Sequence, residues 1–457
     1  MLYMINENIM YSDISMDFFE VGKELACMVR DNPTESMQLQ NEQLLKVKVE
    51  CKDISTEQFC SQEKPTYGLN RLSLIMTNDC NFACTYCYEN WDSDEKLNMI
   101  KNKFLSVQDA LKAIDLCVNT FGSIQTLMFF GGEPLLRLKE IEEICMHVAN
   151  TYPLINFGII TNGSIYSKRV MELFKKYHFN ITISIDGPAK YHDRCRIDHN
   201  HNGTFKLISK NAKAMKTDGL NFMVQGSITP NHIIDNFTVS DYVTFLDTEF
   251  KTQMPHIVPC QIKSDDPDAW TYESKSEMIN SYIQLDIDNL DNILNKNYQS
   301  VKNTSTFIDT LMAIIKKKKF RTICPAGFEA AVSPDGKLYP CFMLVNKPGI
   351  EPLGTVNSDY TTILDNTRRY LDSALKINIV ECSECWAKHI CHGCAGSNYN
   401  ENTTISIPAP LHCDWIKSRS AAIIVWLNQL QKSPNEWKTF VNNITELSKR
   451  VDTKMSC

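Results

Sequence analysis

Six apolar runs of strand length, five of them followed by a segment of helical period, predict an α/β chain built on a partial (β/α)6 barrel of TIM type. Two further observations complete the outline. The first barrel strand begins only after residue 70, which implies an N-terminal extension, and beyond residue 320 the periodicity fails while Cys, Gly and Pro become frequent. That last part reads as a small cysteine-rich domain organised by bound metal instead of an apolar core. The division is then 1–70 for an N-terminal module, 71–320 for the barrel, 321–415 for the cysteine-rich domain and 416–457 for a helical tail. At roughly 150 residues per domain, 457 residues suffice for about three such units.

The barrel strands are read at 72–76, 126–130, 157–161, 181–185, 221–228 and 256–260, and the helices at 106–121, 138–151, 167–177, 205–217 and 234–246. Such alternation builds a parallel sheet through crossover helices, and chemistry in such sheets gathers at the strand C-terminal ends. Those ends carry the distinctive residues. Cys80 follows the first strand, Gly131-Gly132-Glu133-Pro134 the second, Thr161-Asn162-Gly163 the third and Asp186-Gly187-Pro188 the fourth. In the N-terminal module, residues 2–10 are read as strands and 18–29 as a helix.

Composition narrows the class. A net charge of -7 gives no electrostatic support for nucleic-acid binding, and the basic run at 316–319 reads as a solvated helix end. Glu7, Asp13, Asp17, Glu20 and Glu24 exclude a secretory signal from the first thirty residues, and no apolar stretch approaches 18 residues. A cytoplasmic protein without a membrane partner is expected. The 18 cysteines are too sparse for a disulfide scaffold and too many for an ordinary cytosolic enzyme, so metal is the first suspicion.

Three cysteines form the pattern C-x-x-x-C-x-x-C at Cys80, Cys84 and Cys87, with Tyr86 just before the last. Three thiolates can hold three irons of a four-iron cubane and leave the fourth iron open to another ligand. A structural zinc site wants four ligands, and no further Cys or His follows the triplet before Cys117. Seven more cysteines lie at Cys324, Cys341, Cys382, Cys385, Cys391, Cys394 and Cys413. Seven thiolates cannot complete two four-thiolate sites, and the two C-x-x-C pairs stand closer together than in a zinc ribbon.

The triplet with Tyr86, the Gly131-to-Pro134 run and Ser184-Ile185-Asp186-Gly187 together resemble the radical SAM superfamily over residues 71–320. The resemblance implies a [4Fe-4S] cluster on Cys80, Cys84 and Cys87 whose open iron chelates S-adenosylmethionine, reductive cleavage to a 5′-deoxyadenosyl radical, and removal of a hydrogen atom from substrate. Gly131 and Gly132 would let the backbone approach the ligand, with Glu133 offering its carboxylate or backbone to an ammonium. Ser184 and Asp186 would bond the ribose. Arg196 would pair with the carboxylate of the cofactor, Arg194 being an almost equal candidate.

Residues 321–415 resemble the SPASM domain, an auxiliary-cluster module of radical SAM enzymes that modify peptides and proteins. The resemblance implies one full cluster on Cys382, Cys385, Cys391 and Cys413 and a second on Cys324, Cys341 and Cys394. In this sequence Cys391 and Cys394 are one residue closer than is usual. His392 is then a substitute ligand or an ordinary loop histidine, and Cys260 either closes the second cluster or is a plain buried thiol.

Two subfamilies compete. Anaerobic sulfatase-maturating enzymes share the stretch from Ser184 to Phe205 and make formylglycine, but they normally start their cluster motif near the N-terminus. They also carry an eighth cysteine where this chain has Ala330, and an aspartate base where it has Phe342. The thioether-forming maturases of ribosomally made peptides, of ranthipeptide and sactipeptide type, are matched better by Tyr339-Pro340-Cys341, Cys385-Trp386-Ala387 and Cys394-Ala395-Gly396-Ser397-Asn398. That resemblance implies a cysteine-containing precursor peptide with leader and core, a reductant such as flavodoxin or ferredoxin, and a leader-binding winged helix in residues 1–70. An extension packed on the barrel is the other reading of that module, and a non-catalytic iron-sulfur or zinc scaffold the other reading of the whole.

Overall fold

A computed structural model of the chain describes residues 2–23, 26–27, 68–88, 104–252, 255–262, 268–302, 306–324 and 327–455. Six parallel strands form its centre: β4 (Leu69–Thr77), β5 (Ile124–Gly131), β6 (Asn156–Thr161), β7 (Asn180–Ser184), β8 (Phe222–Ile228) and β9 (His256–Pro259), hydrogen-bonded in that order. Branched and aromatic residues fill both faces, with Leu74 paired to Phe129 and Ile159 to Ile181 across the sheet. Burial on both faces is what a helix-covered parallel sheet demands. The connecting helices are α1 (Val107–Phe121), α2 (Leu138–Thr151), α3 (Lys168–Lys176), α4 (Phe205–Thr217) and α5 (Val239–Phe250). Ser106, Ser167 and Thr238 start α1, α3 and α5 by accepting backbone N–H groups that the first turn leaves unpaired.

The sheet does not stop where the periodicity does. β10 (Glu329–Val332) joins the free edge of β4 in parallel, and β11 (Lys337–Tyr339) and β12 (Gly354–Thr355) continue antiparallel, giving nine strands in the order β12-β11-β10-β4-β5-β6-β7-β8-β9. Ala330, Val332 and Leu338 are buried in the same core as Leu72 and Leu74. The cysteine-rich segment therefore begins as an extension of the barrel sheet, and the expected loss of apolar core at residue 320 is corrected. Strands of two to four residues are too short to register as period-two patterns.

Beyond the barrel come α6 (Tyr272–Leu294), α7 (Phe307–Lys316), α8 (Tyr360–Ala374), α9 (Pro410–Leu430) and α10 (Pro434–Met455). Helix α9 runs unbroken across the expected boundary at 415/416. Its Arg419 meets Asp286 of α6 in a buried bidentate pair, Nε to Oδ2 at 2.6 Å and Nη2 to Oδ1 at 2.8 Å, and also bonds Thr306.

At the N-terminus, β1 (Leu2–Met4), β2 (Ile9–Ser12) and β3 (Phe18–Glu20) form an antiparallel sheet in that order. Residues 18–20, read from sequence as the start of a helix, are a strand: Phe18 faces the core beside Tyr11 while Glu20 faces water. Of the remainder of that expected helix, residues 23 and 26–27 are helical, and residues 24–25 and 28–29 lie outside the described residues. The sheet packs on α6, α7, α9 and α10 through Ile9, Tyr11, Met16 and Phe18, not on the barrel. Tyr11 meets Trp386 edge to face, Tyr3 donates to the Glu384 carbonyl, and Asp13 pairs with Lys388 at 2.7 Å. Among the described residues no helix is long and apolar enough to cross a membrane.

Removing one partner of a buried ion pair strands the other charge, at a cost of about 3–5 kcal/mol. Asp286→Ala is accordingly expected to lower unfolding free energy by that amount in a denaturant titration, whereas Asp365→Ala, at an exposed pair on α8, is expected to change it by less than about 1 kcal/mol.

Candidate active site and thiol clusters

The loop after β4 carries Cys80, Cys84 and Cys87 and is stitched to the segment after β7. The amides of Ala83 and Thr85 donate to the carbonyls of Ile197 and Cys195 at 2.8 and 2.9 Å, and Phe82 is buried beneath the loop. Cys80 Sγ accepts from the Phe82 amide at 3.4 Å and from Asn162 Nδ2 at 3.8 Å. Burial pushes the Cys80 thiol up to about 11 and raises that of Cys84, and the three thiols act electrostatically on one another.

The glycines of the second strand end have a different task from the expected one. A Cβ on Gly131 would stand 2.3 Å from the Thr77 carbonyl oxygen, and one on Gly132 would stand 2.3 Å from that of Asp79. Close approach is needed here to the backbone of the cysteine loop. The Gly132 and Glu133 amides complete the latch by donating to those same two carbonyls at 2.8 and 2.9 Å.

Glu133 is fully buried and its carboxylate is spent internally. Oε1 accepts from the Leu135 amide at 3.1 Å and the Thr161 hydroxyl at 2.8 Å, and Oε2 from the Asn162 amide at 2.8 Å. Burial nevertheless pushes its carboxyl up to about 7 against those donors. The side chain thus fixes the end of β6, whose Asn162 in turn bonds Cys80 and Asn81. Only the Glu133 backbone is left for the ligand contact read from sequence.

Asp186 is likewise turned inward. Oδ2 accepts from the Tyr86 hydroxyl and from Arg196 Nε at 3.0 Å, and Oδ1 accepts from the Ser227 amide at 3.0 Å. Burial works to raise its pKa, but Arg196, His192, Tyr86 and Ser227 prevail and hold it below the usual carboxylate range. Its amide donates to His192 Nδ1, so the ring proton sits on Nε2, which bonds Thr204, whose hydroxyl donates to the Arg196 carbonyl. Arg196 is thereby held from both ends, with its guanidinium 5.5 Å from the Tyr86 ring centre. Arg194, the rival candidate, pairs with Asp268 at the surface with both side chains about half exposed. Ser184 is half-buried at the end of β7. Cys260 lies beside Tyr86 and Tyr242, on the barrel side.

The seven later cysteines fall into two electrostatic groups. Cys382, Cys385, Cys391 and Cys413 act on one another, and so do Cys324, Cys341 and Cys394. Cys391 and Cys394 also feel each other where the groups adjoin. The short spacing between them is absorbed by Gly393, whose positive φ of 62° and packing on Ile323 turn the chain within two residues. Cys391 Sγ then accepts from the Gly393 amide at 3.1 Å, and Cys394 caps the helix Ala395–Asn402 through the Ser397 amide at 3.4 Å. Burial pushes the thiols of Cys341 and Cys413 up to about 12 and that of Cys382 to about 11.

Among the described residues no three Cys, His, Asp or Glu side chains converge closely enough to hold a single metal ion. Thiolates on one zinc ion stand about 3.8 Å apart, from a Zn–S bond of about 2.3 Å. Buried polar atoms without protein partners surround the thiol groups: Nε2 of His392 and of His412, and the hydroxyl of Tyr370, which faces Cys341, Cys324 and Cys394. Orphaned donors beside gathered thiols fit a sulfide-bearing cluster. Neither Tyr370 nor the buried Lys376, which these thiols also act on, was marked by any sequence motif.

Residues 74–235 match the family model described as the radical SAM superfamily. The chain therefore contains a radical SAM domain, a class that works with a [4Fe-4S] cluster and S-adenosylmethionine. Its relatives include the radical SAM cyclopropyl synthase TigE of Paramaledivibacter caminithermalis, 24% identical over 60% of this chain and 57% of that protein. A cysteine-type anaerobic sulfatase-maturating enzyme of Clostridium novyi is 23% identical over 77% of this chain and 94% of its own length. Among solved structures, anSMEcpe with bound AdoMet superposes with a TM-score of 0.63 at 19% identity, covering 79% of this chain and 99% of that one. SuiB of Streptococcus suis bound to precursor peptide SuiA gives 0.52 at 13% identity, covering 89% and 96%. These structural likenesses establish the shared fold.

Glu133 supplies a pH test. Its folded pKa of about 7 lies above the ordinary glutamate value of 4.5, so its contribution to stability is fully present below 4.5 and is lost as pH rises through 7. Relative to a Glu133→Gln variant, the protein is expected to lose roughly 3 kcal/mol across that window, at 1.36 kcal/mol per pKa unit. Parallel thermal melts at pH 4.5 and 8 measure it; a difference that is constant with pH contradicts it.

Proposed function

We propose that this chain is a cytoplasmic radical SAM peptide maturase that forms a thioether crosslink in a ribosomally made, cysteine-containing precursor. The observation that carries the reading is the separation of seven C-terminal thiols into a group of four and a group of three. In this reading Cys80, Cys84 and Cys87 hold the first cluster. Cys382, Cys385, Cys391 and Cys413 hold a closed auxiliary cluster, and Cys324, Cys341 and Cys394 hold one with an iron left for the substrate thiolate. The first cluster and S-adenosylmethionine together supply a radical able to take a hydrogen atom from carbon.

The chain's own residues do the positioning. Arg196, held by Asp186 and Thr204, offers a guanidinium to the carboxylate of the cofactor, and the Gly131-to-Glu133 backbone offers carbonyls to its ammonium. Atoms and electrons balance. With the clusters and S-adenosylmethionine bound, the carbon hydrogen would end in 5′-deoxyadenosine and the thiol proton in solvent, and the electron released on C–S bond formation would match the one spent on S-adenosylmethionine. A reductant of flavodoxin or ferredoxin type would start each cycle.

The sulfatase-maturase reading is favoured by the coverage of the Clostridium novyi relative. Against it stand Ala330, buried in β10 against Leu72, and Phe342, packed on Phe130 at 4.8 Å. Both occupy positions where that subfamily carries a reactive group.

Mass spectrometry of a co-expressed cysteine-rich peptide decides between them. Loss of two hydrogens per linkage with sulfur that resists alkylation supports the thioether, and a formylglycine aldehyde overturns it. Cys84→Ala is expected to abolish 5′-deoxyadenosine formation, whereas Cys394→Ala is expected to keep it above a tenth of normal while losing the crosslink. A reconstituted wild type that yields no 5′-deoxyadenosine with dithionite would point to the scaffold reading.

A further inference from the structure

Lys376, in the turn after α8, is 3% exposed, and its ammonium points into the cysteine-rich layer. Nζ donates to the carbonyls of Phe320 at 2.7 Å and Lys388 at 2.6 Å, and to that of Cys391. Three acceptors use all three protons of an ammonium, and a neutral amine would turn its lone pair on one of them. Its hydrogen-bond partners are all neutral carbonyls. Burial works against its charge and lowers its pKa, while the thiols of Cys391, Cys382, Cys385 and Cys324, drawn from both auxiliary groups, act the other way.

A buried cation calls for a counter-charge, and among the described residues that act on Lys376 it is thiols that offer one. We infer that Lys376 is the built-in counter-ion of the auxiliary cluster on Cys382, Cys385, Cys391 and Cys413, raising its reduction potential so that it accepts the electron released when the substrate bond forms. This rests on the reading of those four cysteines as cluster ligands. A fixed positive charge in a medium of low dielectric favours the more negative, reduced cluster, and nearby charge is one of the main determinants of cluster potential. The electrostatic influence of Cys324 on Lys376 extends the same charge to the second group, so that it would act on both.

The experiment uses the full chain, reconstituted anaerobically, with iron content and a redox titration followed by EPR. Lys376→Met is expected to keep the wild-type iron content while lowering the reduced-to-oxidised ratio of one auxiliary cluster about tenfold at fixed potential, a negative shift of 59 mV for one electron. Lys376→Arg, which keeps the charge, is expected to stay near wild type. Unchanged potentials at full iron content overturn the inference. If the Met variant loses iron, Lys376→Gln is read beside Arg: loss in both neutral variants with retention in Arg supports the counter-ion role, and loss in all three overturns it. A wild type that binds iron only at Cys80, Cys84 and Cys87 sinks the ligand assignment instead, which the iron count of Cys382→Ala checks separately.

Discussion

The carboxylate of Asp186 is the point on which the barrel end depends. It has no contact with water, and its ionised form persists because Tyr86, Arg196 and Ser227 each give it a hydrogen bond. Those three partners come from three places: the cysteine loop after β4, the segment after β7 and the end of β8. One buried charge thus fixes the mutual arrangement of strand ends that the sheet alone leaves adjustable. Networks of this kind are worth more than their pairwise parts in a low-dielectric interior, and they are correspondingly intolerant of a missing member. Glu133 repeats the device one layer away, coupling β5 to β6 and, through Asn162, to Cys80. The loop that carries the first thiols is therefore held by two buried carboxylates, although neither carboxylate touches a thiol.

The later thiols owe their positions to the sheet in a different way. β10 binds the outer edge of β4, so Cys324 and Cys341, just before and after the hairpin, are placed by the strand that also leads to Cys80. Cys413 comes from the first turn of α9, whose buried Arg419 anchors it to α6. Three thiol groups are thus mounted on one continuous frame. Fixed separation between the three groups is a property of that frame.

Much of this was legible in the sequence. The spacing of Cys80, Cys84 and Cys87 is local and so stands out in the sequence, whereas the grouping of the seven later cysteines was implied only by the resemblance to the SPASM domain; in the structure Cys382, Cys385, Cys391 and Cys413 act electrostatically on one another, as do Cys324, Cys341 and Cys394. The six barrel strands were legible for a similar reason: buried parallel strands are unbroken apolar runs. What was not legible depends on partners remote in sequence. Nothing near Asp186 announces that its carboxylate meets Ser227 and Tyr86, so an exposed strand-end carboxylate and a buried hub look alike in a sequence. Gly131 and Gly132 were singled out for close approach to a ligand, whereas the close approach in the structure is to the backbone of residues 77–79. Strand β3 was misread because three residues carry no usable period. Lys376 was invisible because a lysine in a short turn is ordinarily a solvated one.

The N-terminal sheet shows how far apart in the chain cooperating parts can be. Tyr3 bonds Glu384, Asp13 pairs with Lys388, and Tyr11 leans on Trp386, all within the loop that carries Cys382 and Cys385. These strands find partners far along the chain, 381 residues on in the case of Tyr3 and Glu384. Contacts of such long sequence separation form late and slowly, because the closure entropy of the intervening chain must be met first. The opening strands must wait with Ile9, Tyr11 and Phe18 uncovered until the cysteine-rich loop is in place, which makes the assembly of that loop a timing step in the protein's biogenesis.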